Sequence, residues 1–361
     1  MNYLKLLFKA IGYNLYRVFG FPKIYPMNYT FLLTNICNSK CKTCNIWMNK
    51  KTDNELTYKE WEKIIIAIGK RADWITITSG EPFLNKDIDK IVSSVIEHNK
   101  PDVICIATNG LLTKQIINKI KKILDSNKKS KTKILLNLSI DGTENLHNKI
   151  RGTKNGFKTT LNTIKKLKEM QTDYKKLFIG INSVISKYNV DEFDKILQLI
   201  NNINPDSYIS EIAENRKEFQ LFDKKIIPNI NNYSKTIRKI INFTEKKDFK
   251  PSKITRIIRK IYYNNSINIL KRKKQTIPCF AGIASVYINY LGEVWACSSK
   301  GEILGNIKET NYDLKKTLFN KKAKQVKKRI KTNGCNCTLA NVYYTNIMCD
   351  IKNWPKLLKE L

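Results

Sequence analysis

Residues 34–47 read TNICNSKCKTCNIW, with Cys37, Cys41 and Cys44 at the spacing C-x3-C-x2-C. The thiols follow directly on the apolar run YTFLLT (29–34), so they sit on a loop at the carboxyl end of a strand. A tetrahedral zinc site or an ordinary iron–sulfur cluster takes four protein ligands. Three readings follow: a [4Fe–4S] cluster whose fourth iron keeps an open position, a partial zinc site, or a cluster completed by a distant cysteine.

The sequence around this loop repeats one pattern. Short apolar runs occur at 29–34, 73–78, 102–108, 133–140, 177–185 and 206–212. Between them lie amphipathic stretches at about 57–69, 87–99, 113–126, 156–170 and 190–203. The first of these opens on Thr57-Tyr58-Lys59-Glu60, the signature of a capping box. Strands alternating with helices, and apolar on both faces, predict an α/β fold with a parallel sheet. Six β/α units fit an open doubly wound sheet or a partial barrel. Either form gathers ligands at the carboxyl ends of its strands.

Polar motifs stand at those ends. SGEP (79–82) follows the second run, TNG (108–110) the third, and SIDG (139–142) closes the fourth. The combination of C-x3-C-x2-C after strand one and SGEP after strand two resembles the radical S-adenosylmethionine (SAM) superfamily over about residues 28–212. The resemblance implies a partial (β/α)6 TIM-like barrel. It also implies a [4Fe–4S] cluster on Cys37, Cys41 and Cys44 whose open iron chelates the amino and carboxylate groups of SAM. Reductive cleavage then gives methionine and a 5′-deoxyadenosyl radical that takes hydrogen from a substrate, the electron coming from a reductant such as ferredoxin or flavodoxin. No further catalytic side chain is assigned beyond the cluster, because the cofactor carries the hard chemistry.

The same resemblance gives roles to other residues. Ser79, Gly80 and Glu81 look like the Gly-Gly-Glu stretch that binds the methionine amino group, with Ser in place of the first glycine. Glycine at 80 suits backbone that closely approaches a ligand. Thr108 and Asn109 lie where the family contacts SAM. Ser139, Asp141 and Arg151, in SIDGTENLHNKIRG, suit its carboxylate and ribose, and Asn182 in GINSVI can face the cofactor. The plainer readings are turn chemistry for Ser139 and Asp141 and a surface ion pair for Arg151. His147 is read as a structural hydrogen-bonding residue and Cys105 as a small core side chain.

A second cysteine group begins at Cys279. ASVYINY and EVWAC alternate like hairpin strands around Leu291-Gly292, so Cys279 and Cys297 flank a hairpin at the spacing C-x12-G-x4-C. Cys335, Cys337 and Cys349 follow. Zinc would accept the same thiolates. The stretch resembles the twitch and SPASM domains of some radical SAM enzymes, which implies one auxiliary [4Fe–4S] cluster. Asn341 stands near where that pattern expects a further cysteine, so Cys335 and Cys337 are taken for the last positions, with Cys349 as the substitute for either.

Residues 2–19 form a basic amphipathic helix, with Leu4, Leu7, Phe8, Ile11, Leu15 and Val18 at helical spacing. It packs on the body or makes peripheral contact with an anionic membrane. The expected organisation is a helix and linker (1–27), a radical SAM core (28–215), a basic helical bridge (216–275) and a twitch/SPASM-like domain (276–361). The chain has no run of ~20 apolar residues and no export signal, which predicts a cytoplasmic protein. Its net charge of +35 comes from lysines spread along all 361 residues, without a recognised nucleic-acid motif. No specific nucleic-acid partner is expected, and a zinc- and nucleic-acid-binding protein is the distant alternative. For substrate, a small or sugar-like molecule is expected first, with maturation of a ribosomally made peptide as the alternative.

Overall fold

The structure, a computed structural model, describes residues 3–221, 225–247, 249–251, 253–332 and 335–359. Six parallel strands form its centre: β1 (Asn28–Leu32), β2 (Trp74–Thr78), β3 (Val103–Thr108), β4 (Lys133–Ser139), β5 (Leu177–Ile185) and β6 (Ser207–Ile212). Helix α1 (Tyr3–Phe19) precedes them. Successive strands are joined by α2 (Tyr58–Ile68), α3 (Ile88–His98), α4 (Thr113–Ser126), the pair α5 (Glu144–Arg151) and α6 (Gly156–Met170), and α7 (Phe193–Ile203). Thr57 and Glu60 do form the capping box that starts α2, a device that contributes about 1 kcal/mol.

Strand order separates the two candidate architectures. A doubly wound sheet reverses its order at a switch point. Here β1 to β6 lie side by side in chain order, as in a barrel. The expectation of strands apolar on both faces does not hold: β1 is buried throughout, yet one face carries the polar Asn28 and Thr30, and β2 to β4 are fully buried on one face only. In those strands Ile75, Ile77, Ile104, Ile106, Ile134, Leu136 and Leu138 are buried in the main core. The other face carries Thr76, Thr78, Cys105, Asn137 and Ser139 and is only partly covered. A barrel needs this asymmetry when its inner face serves a ligand.

After β6 come α8 (Ile230–Lys246) and α9 (Lys253–Arg272), within the stretch expected to be a helical bridge. The predicted hairpin is β7 (Ser285–Asn289) and β8 (Glu293–Trp295), and β9 (Ile303–Asn306) extends it. Gly292 turns between β7 and β8 at φ 83°, where a side chain would be strained. The hairpin is not a detached unit. β7 pairs in parallel with β1 from Asn28↔Ser285 to Leu32↔Asn289, making one nine-stranded sheet among the described residues.

The chain ends in α10 (Leu314–Phe319), α11 (Lys321–Thr332), α12 (Ala340–Cys349) and α13 (Trp354–Lys359). Helix α12 is tied to β1: Asn28 Nδ2 donates to Asn341 Oδ1 (3.0 Å) and Asn341 Nδ2 to Thr30 Oγ1 (2.7 Å). The asparagine found near the expected cysteine position therefore braces the sheet.

Candidate active site

The cysteine loop is fixed from three sides at the carboxyl ends of the strands. From β2, Glu81 N donates to Ile36 O (2.9 Å). From α5, Ile150 O accepts from Lys42 N (2.8 Å) and Arg151 O from Ser39 Oγ (2.9 Å). From the segment after β6, Phe219 O accepts from Asn45 N (2.9 Å). Glu55 supports its start, accepting from Thr34 Oγ1 (2.9 Å) and Asn35 N (3.0 Å).

Two glycines allow this docking. A Cβ at Gly80 would stand 1.9 Å from Ile36 O, and one at Gly152 would stand 2.4 Å from Lys40 O. Glycine 80 thus lets the backbone approach the cysteine loop. Gly80→Ala should destabilise the fold by about 3 kcal/mol, read from the unfolding midpoint, and should lower the iron retained after anaerobic reconstitution. Unchanged stability would refute this role.

Glu81 is 1% exposed and its carboxylate is already engaged. It accepts from Thr108 Oγ1 (2.8 Å), Asn109 N (2.8 Å) and Phe83 N (3.1 Å). Burial pushes its carboxyl up to about 7, against the pull of those bonds. Glu81 and Thr108 thus lock the ends of β2 and β3 together. Ser79, in the left-handed region at φ 81°, turns the chain out of β2. Asn109 Nδ2 bonds Asn38 Oδ1 (2.7 Å) and lies 3.9 Å from Cys37 Sγ.

Asp141 and Arg151 form a buried ion pair at 2.6 Å, not a surface one. Arg151 Nη1 lies 3.8 Å from Cys41 Sγ. Burial opposes its charge, but Asp141 and Cys41 outweigh that and keep the guanidinium protonated. Asp141 also accepts from Val184 N (2.8 Å) and is 1% exposed. Its ion pair positions Arg151. His147 is buried; burial first, then Arg151, lowers its pKa to about 4, and its neutral Nδ1 accepts from Asp141 N (3.2 Å). This matches its structural reading.

Ser139 and Asn182 are register partners on β4 and β5. Asn182 Oδ1 and Arg151 Nε are buried without a protein hydrogen-bond partner. Such orphaned atoms are costly unless a ligand or water satisfies them.

Cys37 feels Cys41, and Cys44 feels both Cys37 and Cys41. Burial, chiefly, raises Cys37 to about 11 and Cys44 to about 12. Among the described residues no three His, Cys, Asp or Glu side chains close around a single metal ion. A [4Fe–4S] cluster needs no such convergence, since each thiolate binds a different iron. Three thiols, with N–H donors of Arg151 and Asn109 near two of the sulfurs, fit that group. Its binding must displace the thiol protons.

The second group gathers Cys279, Cys297, Cys335 and Cys337. Cys279 and Cys297 both feel Cys335, and Cys337 feels Cys297. The Cys337 S–H lowers the Cys335 pKa, and Gln275 Nε2 donates to Cys337 O (2.7 Å). Cys349 does not join them. It is fully buried in the main core, its carbonyl accepts from Asn14 Nδ2 (2.7 Å), and its charged neighbours are Asp350 and Lys9. Its place among the candidate ligands is corrected on that ground: it ends α12 where that helix packs on α1. Cys105 lies beside Asn137 Nδ2 (3.4 Å) on the partly covered face of the sheet.

Sequence reading missed the segment between the two cysteine groups. Arg216, 5% exposed, pairs with Glu211 (2.8 Å) and Glu214 (3.2 Å). Glu214 accepts from the backbone and hydroxyl of Thr338, next to Cys337. Lys217 N and Glu218 N donate to Ser299 O (3.1 Å) and Ser298 O (3.2 Å), just after Cys297. The signal was present in SEIAENRKEF (210–219), a charged run at a strand end.

Residues 31–200 match the family described as the Radical SAM superfamily. The sporulation killing factor maturation protein SkfB of Bacillus subtilis is 30% identical over 175 residues, 48% of this chain and 39% of that protein. The antilisterial bacteriocin subtilosin biosynthesis protein AlbA of Bacillus subtilis is 23% identical over 303 residues, 82% of this chain and 60% of that protein. The chain therefore spans less than two thirds of the length of either relative. Among solved structures, anSMEcpe with bound AdoMet shares the fold at a TM-score of 0.60 and 16% identity, covering 93% of this chain and 98% of its own. Residues 31–200, with the cysteine loop near their start, are thus a region similar to the Radical SAM superfamily.

Proposed function

We propose that this protein is a radical SAM enzyme with one auxiliary iron–sulfur cluster, acting on a peptide. The observation that carries the reading is the three-thiol loop held between Gly80, Arg151 and Phe219, with Arg151 beside Cys41. Cys37, Cys41 and Cys44 would hold the first cluster. When reduced, it supplies the electron that cleaves the sulfonium of SAM, and the radical so formed takes hydrogen from the substrate. The orphaned Asn182 Oδ1 and Arg151 Nε, with Ser139 opposite Asn182 on the neighbouring strand, would bind SAM. Ser79, Gly80, Glu81, Thr108 and Asp141 shape and hold the site, and Asn109 orients its amide toward Cys37. Cys279, Cys297, Cys335 and Cys337 would hold the auxiliary cluster. A reductant of the ferredoxin or flavodoxin type would feed the site.

The peptide reading is favoured over the small-molecule one because the alignment with AlbA covers 82% of this chain, well past the matched radical SAM region. The test is 5′-deoxyadenosine formation by the reduced holoenzyme with and without a short peptide encoded beside its gene. A peptide-dependent rise with a matching change in peptide mass is expected. A rise with small molecules alone would favour the other substrate class.

The ligand assignment gives a second outcome. The reconstituted chain should bind about eight irons, four per cluster. Cys349→Ala should keep them, whereas Cys297→Ala should lose about half. Loss of half the iron in Cys349→Ala would overturn the assignment.

A further inference from the structure

Helix α1 is apolar on two opposite sides. It packs on the body through Leu6, Ala10, Tyr13 and Tyr16, all buried. Tyr13 Oη donates to Tyr25 O (2.8 Å), and Asn14 reaches α12. Of the stripe expected from its helical spacing, Leu7 packs against the core, and the rest points the other way. Leu4 (63% exposed), Phe8 (65%), Ile11 (40%), Leu15 (42%), Val18 (55%) and Phe19 (75%) all face outward. With 3.6 residues per turn these six fall within an arc of about 100°. Scattered exposed apolar residues need no explanation, but a continuous stripe marks a contact surface.

The charge beside the stripe says what contacts it. Helix α11, KKAKQVKKRIKT, lies against the second half of α1: Lys327 Nζ is 3.3 Å from Tyr16 Oη, and Lys331 Nζ is 3.4 Å from Val18 O. Its Lys321, Lys322, Lys324, Lys328 and Lys331 are exposed. Neither helix contains an acidic residue. Asp73, which lies against α1, is bound by Lys5 and Lys9, and Glu302, against α11, is bound by Arg329. An apolar ridge flanked by exposed lysines complements an anionic bilayer, whose acyl region takes the ridge and whose headgroups take the ammonium groups. A second copy would instead bring two such basic helices together in a chain of net charge +35.

We propose that α1, flanked by α11, seats this protein on an anionic lipid surface. No helix among the described residues is long and apolar enough to cross a membrane, so the contact is peripheral. It does not depend on the proposed reaction.

The test is flotation of the full chain with phosphatidylglycerol/phosphatidylcholine vesicles and with phosphatidylcholine alone. Binding to the anionic vesicles is expected, at least about tenfold stronger than to the neutral ones. Phe8→Ser with Leu15→Ser should weaken it by about tenfold or more. Lys321→Ser with Lys324→Ser and Lys328→Ser should remove the preference for anionic lipid. All five positions are exposed, so the unfolding temperature should not move; that measurement separates lost docking from lost fold. Failure of the parent chain to float with anionic vesicles would overturn the proposal, as would unchanged binding by both variants. So would a dimer abolished by the Phe8/Leu15 pair in a protein that ignores vesicles.

Discussion

Cys41→Ala is expected to lower 5′-deoxyadenosine formation by more than the roughly 10–100-fold that changes behind a metal ligand cost, and to remove about four of the bound irons. The physical reason lies in how Cys41 is held. It is the buried member of the triad, 8% exposed, with Ser39 Oγ at 3.3 Å and the Arg151 guanidinium at 3.8 Å. Arg151 is in turn fixed by Asp141. Alanine there removes one iron ligand and leaves Arg151 without its sulfur neighbour. The auxiliary group is separate in sequence and lies on the hairpin side of β1, so its iron should stay. Iron content and nucleoside yield measured on one preparation distinguish the outcomes. Loss of all iron would show that the two cysteine groups do not load independently. Retained 5′-deoxyadenosine formation would remove Cys41 from the cluster.

Arg216→Ala should have the largest effect on stability outside the cysteines, about 3–5 kcal/mol. Arg216, 5% exposed, neutralises Glu211 (21% exposed) and Glu214 (10% exposed). Glu218 lies beside them, its carboxyl pushed up chiefly by burial. Removing the guanidinium leaves these carboxylates without their cation, the situation that makes broken buried pairs costly. The loss should spread to both cysteine groups. The segment 214–221 carries the contact to Asn45 on one side and those to Ser298, Ser299 and Thr338 on the other. Equilibrium unfolding and iron content check this. An Arg216→Ala chain with unchanged stability and full iron would show that the bridge is incidental. Arg216→Lys should recover only part of the loss, because a point charge cannot serve two carboxylates as the guanidinium fork does.

Much of this was legible in the chain, for local reasons. Each of the six β/α units carries its own periodicity, and the capping box at Thr57 needs only four residues. The cysteine loop and its strand-end partners are short motifs attached to those units. What escaped depends on contacts distant in sequence. Nothing near residue 285 says that β7 will lie beside β1, some 255 residues earlier. A helix with two apolar sides, as in α1, does not reveal from its spacing which side packs. Spacing likewise placed Cys349 with the other late thiols, whereas α12 carries it into the core against α1. Glu81 looked like a ligand-binding carboxylate from its motif. Only the arrangement of β2 and β3 shows that Thr108, Asn109 and Phe83 already occupy it. The charges of 210–219 were visible, but a charged run reads as solvated until its partners are known.

The central claim is that three thiols on the loop after β1 form a working SAM-cleaving site. It is tested most directly by incubating the anaerobically reconstituted chain with dithionite and SAM and quantifying 5′-deoxyadenosine. The wild-type protein should form it and Cys41→Ala should not. A wild-type chain that carries its full complement of iron yet forms none would contradict the claim.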